Sequence, residues 1–295
     1  MTYELDVPFH SQGIPLAGRF VLPTDDLATK RPLVVVTGSW LTVKEQMPLL
    51  YARRLAQAGM AAFVFDFAGF GASEGDLRQC EMPLRKMADI AAAADFVRTM
   101  SFTRSVGHLA ICASAQYTLA ALARGARIES FACVAGWYHD TASIALFYGG
   151  REGVAKRLQW AQGAQRRWTS EDRQTIVPAY ENGNERAGMF FPLDYYGLSS
   201  RGAIAEWKNE MDEMTWLYWL TFDGIAAASQ VTTPSLLVHS DGCALPEHAK
   251  QIYQQLKGQK ELVWSEGNQS DFYDLPPHVD RAMAAVTPWF KRTLA

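Results

Sequence analysis

Short, wholly apolar runs separated by amphipathic stretches of helical length limit this chain's fold more than any other feature. Leu33–Val36 and Ala61–Phe65 are such runs, and between them Val43–Ala58 carries apolar residues at spacings of three and four. A strand that reads as a continuous apolar run is buried on both faces, the condition of a parallel sheet covered by helices on either side. The unit repeats. A helix is expected over 83–100, a strand over Val106–Ile111, a helix over Ala113–Ala123 and a strand over Phe131–Ala135. Further on come a strand at Ser235–His239, a helix at Pro246–Leu256, a strand at Leu262–Trp264 and a helix at His278–Leu294. Before the first unit, Tyr3–Phe9 and Ile14–Pro23 flank Ser11-Gln12-Gly13 as a hairpin. The expected class is α/β, with a mostly parallel central sheet flanked by helices.

Between Trp137 and Val231 this rhythm stops. The intervening sequence is helical in period and rich in aromatics, among them Trp160, Trp168, Trp207, Trp216, Tyr218 and Trp219. It reads as a helical cap over 138–230, inserted into a core made of 1–137 and 231–295. Such a cap is either a second packing layer or a lid whose aromatics, with Trp137, Tyr138, Trp216 and Trp219 foremost, line an apolar substrate pocket.

Composition narrows the function classes. The chain has 295 residues, 48% hydrophobic and 20% charged, with a formal net charge of -3. That balance gives no reason to invoke nucleic acid or an anionic membrane, so a small-molecule substrate is the expected partner, with a homodimer as the default assembly. No run of apolar residues is long enough to span a bilayer, and the opening residues carry no secretory or transit pattern, which points to the cytoplasm. Cys80, Cys112, Cys133 and Cys243 are widely spread, without a CxxC pair or histidines at ligand spacing. They are read as thiols; no metal and no cofactor is expected.

The chemistry is sought in the loops after the strands, where open α/β sheets bind ligands. Leu109-Ala110-Ile111-Cys112-Ala113-Ser114 runs directly from a buried strand into a helix. A nucleophile at so sharp a turn needs small residues two before and two after it, and Ala110 and Ser114 meet that demand around Cys112. Centring the turn on Ser114 would put Gln116 at a small position. A thiol at a helix N-terminus gains from the dipole, although a buried cysteine is also common as an inert apolar residue, the description that suits Cys80 and Cys133. The stretch from Asp66 to Gly75, DFAGFGASEG, has its third glycine at the wrong spacing for a dinucleotide loop.

Taken in order, the strand followed by Gly38-Ser39-Trp40, the DxxGxGxSxG stretch and the turn with cysteine at its apex resemble α/β hydrolases of the dienelactone-hydrolase-like branch. The resemblance covers the chain apart from the cap. It implies an oxyanion hole built from the backbone N–H of Ala113 and that of Ser39 or Trp40. It also implies a chain order of nucleophile, acid, histidine. Asp241 is the only carboxylate in Ser240-Asp241-Gly242-Cys243 and takes the acid's place. After the last strand, where His-x-Asp-x-Tyr-Asp is usual, the chain reads Gln269-Ser270-Asp271-Phe272-Tyr273-Asp274, so Gln269 stands on the histidine position.

Glutamine cannot take up and return a proton at neutral pH, so a standard hydrolytic cycle is not expected. Among the six histidines, His139 in Trp137-Tyr138-His139-Asp140 lies on the correct side of the sheet, either as a substitute base or as a cap anchor paired with Asp140. Three functions stay open. One is acyl transfer or hydrolysis of a small hydrophobic ester, thioester or lactone through Cys112. Another is non-hydrolytic lyase, isomerase or cyclase chemistry in the same pocket, and the last is ligand binding without turnover.

Overall fold

The computed structural model describes residues 2–295. Its main sheet has eight strands in the order β1-β2-β4-β3-β5-β6-β9-β10. In chain order these are β1 (Tyr3–Ser11), β2 (Ile14–Leu22), β3 (Arg31–Thr37), β4 (Ala61–Phe65), β5 (Thr103–Ile111), β6 (Ser130–Val134), β9 (Ser235–Gly242) and β10 (Lys260–Asn268). The β1–β2 hairpin and the β2–β4 pairing are antiparallel, and every later pairing is parallel. Val34, Val35 and Val36 in β3 and all of β4 are buried, as continuous apolar runs require. Helices α1 (Met47–Gln57), α2 (Pro83–Arg98), α3 (Ser114–Ala123), α8 (Pro246–Gln255) and α10 (Pro276–Thr293) accompany the strands, so the expected mostly parallel sheet flanked by helices is found.

Helix α1 begins later than the expected Val43. Residues 38–46 form a hydrogen-bonded loop instead, in which the Gln46 side chain accepts the Val43 N–H at 2.9 Å and the Thr42 hydroxyl donates to the Ser39 carbonyl at 2.7 Å. Pro48 in the first turn then starts the helix where a missing N–H does no harm. This loop passes directly over the carboxyl end of β3, so its conformation bears on the site.

Between β6 and β9 the chain is less helical than its periodicity suggests. It holds one long helix, α5 (Gly150–Glu171), with α4 (Ser143–Phe147), α6 (Asp194–Gly197) and α7 (Thr215–Trp219) as short pieces. Two-residue strands β7 (Ile176–Val177) and β8 (Met211–Asp212) pair antiparallel. Aromatic packing, rather than helix geometry, joins the segment to the core. Trp40, from the loop after β3, stacks on Trp219 at 4.8 Å between centroids and meets Trp216 at 5.9 Å. Within the segment, Arg157 is buried and donates to the carbonyls of Tyr148 and Glu185, tying the start of α5 to the 185–190 turn.

The DxxGxGxSxG stretch is a structural clasp. The Asp66 carboxylate accepts the Lys44 backbone N–H at 2.8 Å, the Lys44 ammonium at 2.7 Å and the Ala72 N–H at 3.0 Å. Gly71 has φ +49°, and a side chain there would run into the Asp66 carboxylate. The Ser73 hydroxyl donates to the Asp66 carbonyl and accepts the Ala17 N–H, closing the loop onto β2. Aspartate, glycine and serine in this motif therefore pin the 38–46 loop to the sheet.

Candidate active site

Strand β5 ends at Ile111 and α3 begins at Ser114, leaving Cys112 at the apex with φ +58°. A non-glycine residue in the left-handed region is held there only by its surroundings. Here the Cys112 N–H donates to the Val134 carbonyl, and the Cys112 carbonyl accepts the N–H groups of Ala115 and Trp137. Ser114 is fully buried below the apex, its hydroxyl shared between the carbonyls of Thr37 and Ile111. The alternative centre is thereby occupied with holding β3 against the turn.

Cys112 opens onto a cavity of about 240 Å³. It is lined by Ser39, Trp40, Cys112 and Ala113, by Trp137, Phe147, Tyr148, Met189, Phe191, Leu193, Tyr196 and Trp219 from the inserted segment and its approach, and by Gly242 to Ala244 with Gln269, Ser270 and Tyr273. Most of this surface is apolar carbon, suited to a hydrophobic ligand with few directed polar contacts.

The polar groups around the sulfur are nearly all donors. Burial pushes the Cys112 thiol above its ordinary pKa; the hydroxyls of Ser39 and Tyr273 and the backbone N–H groups of Ala113 and Trp40 face it and pull the other way. The Tyr196 hydroxyl donates to Ser39 Oγ at 3.0 Å, and the Gln269 amide donates to Tyr273 Oη at 3.2 Å. The Ser39 and Tyr273 hydroxyls also lie 3.4 Å from each other, so the two chains meet beside the sulfur. Burial raises Tyr273 and Tyr196 well above the ordinary phenol range, so neither serves as a base near neutral pH. The arrangement suits negative charge on sulfur, or on a substrate oxygen in the same place.

Gln269 is fully engaged. Its amide also donates to the Ala135 carbonyl at 2.7 Å, and its oxygen accepts the Ala244 N–H at 2.8 Å. It braces the loops after β6, β9 and β10 against one another.

The remaining candidates divide sharply. Trp40, Ala113, Ser39, Trp137 and Trp219 reach the cavity; Asp241, His139, Tyr138 and Trp216 are not among the residues that line it. Asp241 is exposed at the end of β9. His139 is fully buried, its Nδ1 accepting the Trp137 indole N–H at 2.8 Å and its Nε2 bonded to the Trp219 carbonyl at 2.9 Å. Burial pushes it down to about 4, and both ring nitrogens are engaged between the chain leaving β6 and α7. Its expected partner Asp140 instead caps the next turn through Ser143. Tyr138 lies under Gly136 with its hydroxyl 2.8 Å from Cys133 Sγ, and Trp216 backs Trp40 from outside the cavity. Among the described residues no histidine lines the cavity, and no group of histidine, cysteine and carboxylate side chains is placed to hold a metal.

Sequence reasoning passed over three contributors. Tyr273 stands in the same short stretch as Gln269, four residues on, at the tyrosine of the His-x-Asp-x-Tyr-Asp pattern, which was the signal that linked them. Tyr196 and the side-chain role of Ser39 depend on a loop from the inserted segment folding back, which no local pattern announces.

No protein-family model matches the chain. It is 26% identical over 276 residues to an uncharacterized protein of Pseudomonas aeruginosa, PA2218, spanning 89% of this chain and 73% of that one. It is equally 26% identical over 295 residues to uncharacterized YcjY of Escherichia coli, spanning 92% of each. The crystal structure of PA2218 superposes with a TM-score of 0.84 at 22% identity, covering 99% of this chain and 94% of that one. The α/β hydrolase GrgF of a Penicillium superposes with a TM-score of 0.81 at 18% identity, covering 99% of both. The fold is that of the α/β hydrolases. A dienelactone hydrolase of Anabaena variabilis shares this α/β-hydrolase fold more loosely, with a TM-score of 0.60 at 14% identity over 100% of this chain and 99% of that one. The segment between β6 and β9 lies within the part matched to GrgF and PA2218, since both superpositions cover nearly the whole chain.

Proposed function

We propose that this protein is an acyl-transfer enzyme in which Cys112 takes an acyl group from a small hydrophobic thioester. The observation that carries the reading is a cysteine held at a left-handed apex and opening onto an apolar cavity that Ser39, Trp40, Ala113 and Tyr273 also line. In the first step the Cys112 sulfur bonds to the thioester carbonyl carbon, the carbon–sulfur bond to the leaving group breaks, and the thiol proton passes to the departing sulfur. The carbonyl oxygen is held by the N–H groups of Ala113 and Trp40 while it is negative.

Thioesters are favoured over oxygen esters because a thiolate is stable enough to leave unprotonated, whereas an alkoxide is a poor leaving group that a catalytic histidine ordinarily protonates as it departs, and among the described residues no histidine lines the cavity. The second step returns the acyl group to an acceptor. With Gln269 on the histidine position, water has no base to activate it, which favours an amine or a thiol, nucleophiles that need less help. Asp241 and His139 are left out of this cycle. Trp137 and Trp219 form the apolar wall against the acyl chain.

A second reading draws on the same donors and on the missing base: an enolate stabilised in the hole without covalent attachment, as in a lyase, isomerase or cyclase reaction. Intact-protein mass spectrometry after mixing with a short-chain acyl thioester separates them. An acyl adduct mapped to Cys112 and absent from Cys112→Ala is expected. Product formation with Cys112 unmodified, and retained by Cys112→Ala, would overturn the covalent reading in favour of the second. Saturable binding with neither adduct nor product would mean a ligand-binding protein.

A further inference from the structure

Behind the cavity, and not lining it, one buried carboxylate joins the two halves of the oxyanion hole. Glu81 is fully buried just before α2. Its Oε2 accepts the Leu41 N–H at 3.2 Å, and its Oε1 accepts the Tyr117 hydroxyl at 2.7 Å. Leu41 follows Trp40 directly and has φ +58°, a strained turn for a branched side chain. Tyr117 belongs to α3, the helix that starts at the Cys112 turn and carries Ala113 at its head. One carboxylate therefore grips both the loop that presents the Trp40 N–H and the helix that presents the Ala113 N–H. Lys86 completes the group, its ammonium 2.8 Å from Glu81 Oε2 and packed on the rings of Phe67 and Phe70 at 4.5 and 4.4 Å.

A buried Glu–Lys pair is a poor stabiliser compared with apolar side chains of the same volume. What this pair adds is geometric. The Trp207 indole N–H holds the Leu41 carbonyl at 2.8 Å, but Glu81 is the acceptor for the Leu41 N–H, and rotation of that peptide would carry the Trp40 N–H away from the Ala113 N–H. A misplacement of about 1 Å in such a constellation lowers rates on the order of a hundredfold.

We propose that Glu81, paired with Lys86, is a positioning residue that sets the spacing of the two oxyanion donors. The inference rests on the acyl-transfer reading for its consequence in turnover, but the spacing can be read without turnover. A short-chain aldehyde serves as the probe: the Cys112 sulfur adds to its carbonyl carbon, the thiol proton ends on the carbonyl oxygen, and that oxygen sits in the hole. Iodoacetamide is the control, since displacement of iodide by the sulfur builds no oxyanion.

In Glu81→Gln, aldehyde affinity is expected to fall roughly 10- to 100-fold, with kcat for thioester transfer falling in parallel and KM little changed. Alkylation of Cys112 by iodoacetamide should stay within about threefold of the parent protein, a margin below the effect of losing one hydrogen bond to a charged group. Tyr117→Phe removes a single hydroxyl and should show the same pattern at roughly a third to a tenth of the size, so it carries the test if Glu81→Gln does not fold. Equal losses in alkylation and aldehyde affinity would overturn the proposal in favour of a purely structural role, and so would unchanged aldehyde affinity in both variants. If the parent protein forms no acyl adduct yet aldehyde affinity falls selectively, the acyl-transfer reading fails and the positioning role stands.

Discussion

Gln269 donates its side-chain amide to the Tyr273 phenol oxygen at 3.2 Å, from the place after β10 that the sequence resemblance assigns to a histidine. The same amide group holds the Ala135 carbonyl and the Ala244 N–H. Three contacts from one side chain, two of them to backbone, make residue 269 a brace whose loss strands polar groups. Gln269→Leu should therefore lower stability by about 2 kcal/mol, the penalty for buried groups left without partners, seen as a lower urea midpoint. A midpoint equal to that of the parent would show that the brace is dispensable.

Cys112 gives the second prediction. With its thiol raised by burial, the iodoacetamide rate should climb through pH 9 without levelling at neutral pH. Tyr273→Phe and Ser39→Ala each remove an O–H that faces the sulfur, and each should shift the profile to higher pH, slowing alkylation at pH 8 by about tenfold. Profiles that level near pH 7 in the parent would mean that the donors outweigh burial.

The fold was readable because burial on both faces leaves a direct mark in β3 and β4, whose apolar runs alternate with stretches of helical period. The apex was readable too, since the size limit at Ala110 and Ser114 is a local steric matter. What escaped was everything set by chain return. Whether His139 faces a ligand or a carbonyl depends on where α7 lies, and α7 is far away in sequence. Tyr196 and Ser39 meet only because the inserted segment folds over the loop after β3. The periodicity that suggested a helical cap was real in α5, but elsewhere it produced only short helical pieces such as α7, whose Trp216 and Trp219 bury their rings in an aromatic cluster.

Asp241 supplies a prediction of no effect. A triad acid orients a buried histidine, and its amide variant loses about four orders of magnitude in turnover. Asp241 is exposed and lies outside the cavity. Asp241→Asn should keep kcat/KM within about twofold of the parent, a change worth less than 0.5 kcal/mol in transition-state binding. A large loss would restore the acid to the mechanism.

His139 ties acid sensitivity to the inserted segment. Its neutral ring is used at both nitrogens, between the Trp137 indole and the Trp219 carbonyl, with Asp140, Asp223 and His248 as the nearest charged or titratable neighbours. Protonation would put a second N–H against the Trp137 donor. Burial accordingly pushes the ring down to about 4, against an ordinary value of 6.5. The unfolded chain takes up this proton near pH 6.5 and the folded chain only near pH 4, so between those values the unfolded state binds more protons and stability falls as the pH drops. Two and a half pH units amount to about 3 kcal/mol for this one ring. His108 and His239, both lowered by burial, add to the same slope. In His139→Gln the amide oxygen can accept from Trp137 and the amide nitrogen can donate to Trp219, so the fold should persist. Urea unfolding at pH 7 and pH 4 should then show a drop in stability smaller than the parent's by about 3 kcal/mol. An equal drop in both proteins would mean that His139 titrates alike in the folded and unfolded chains, which its two bonds forbid.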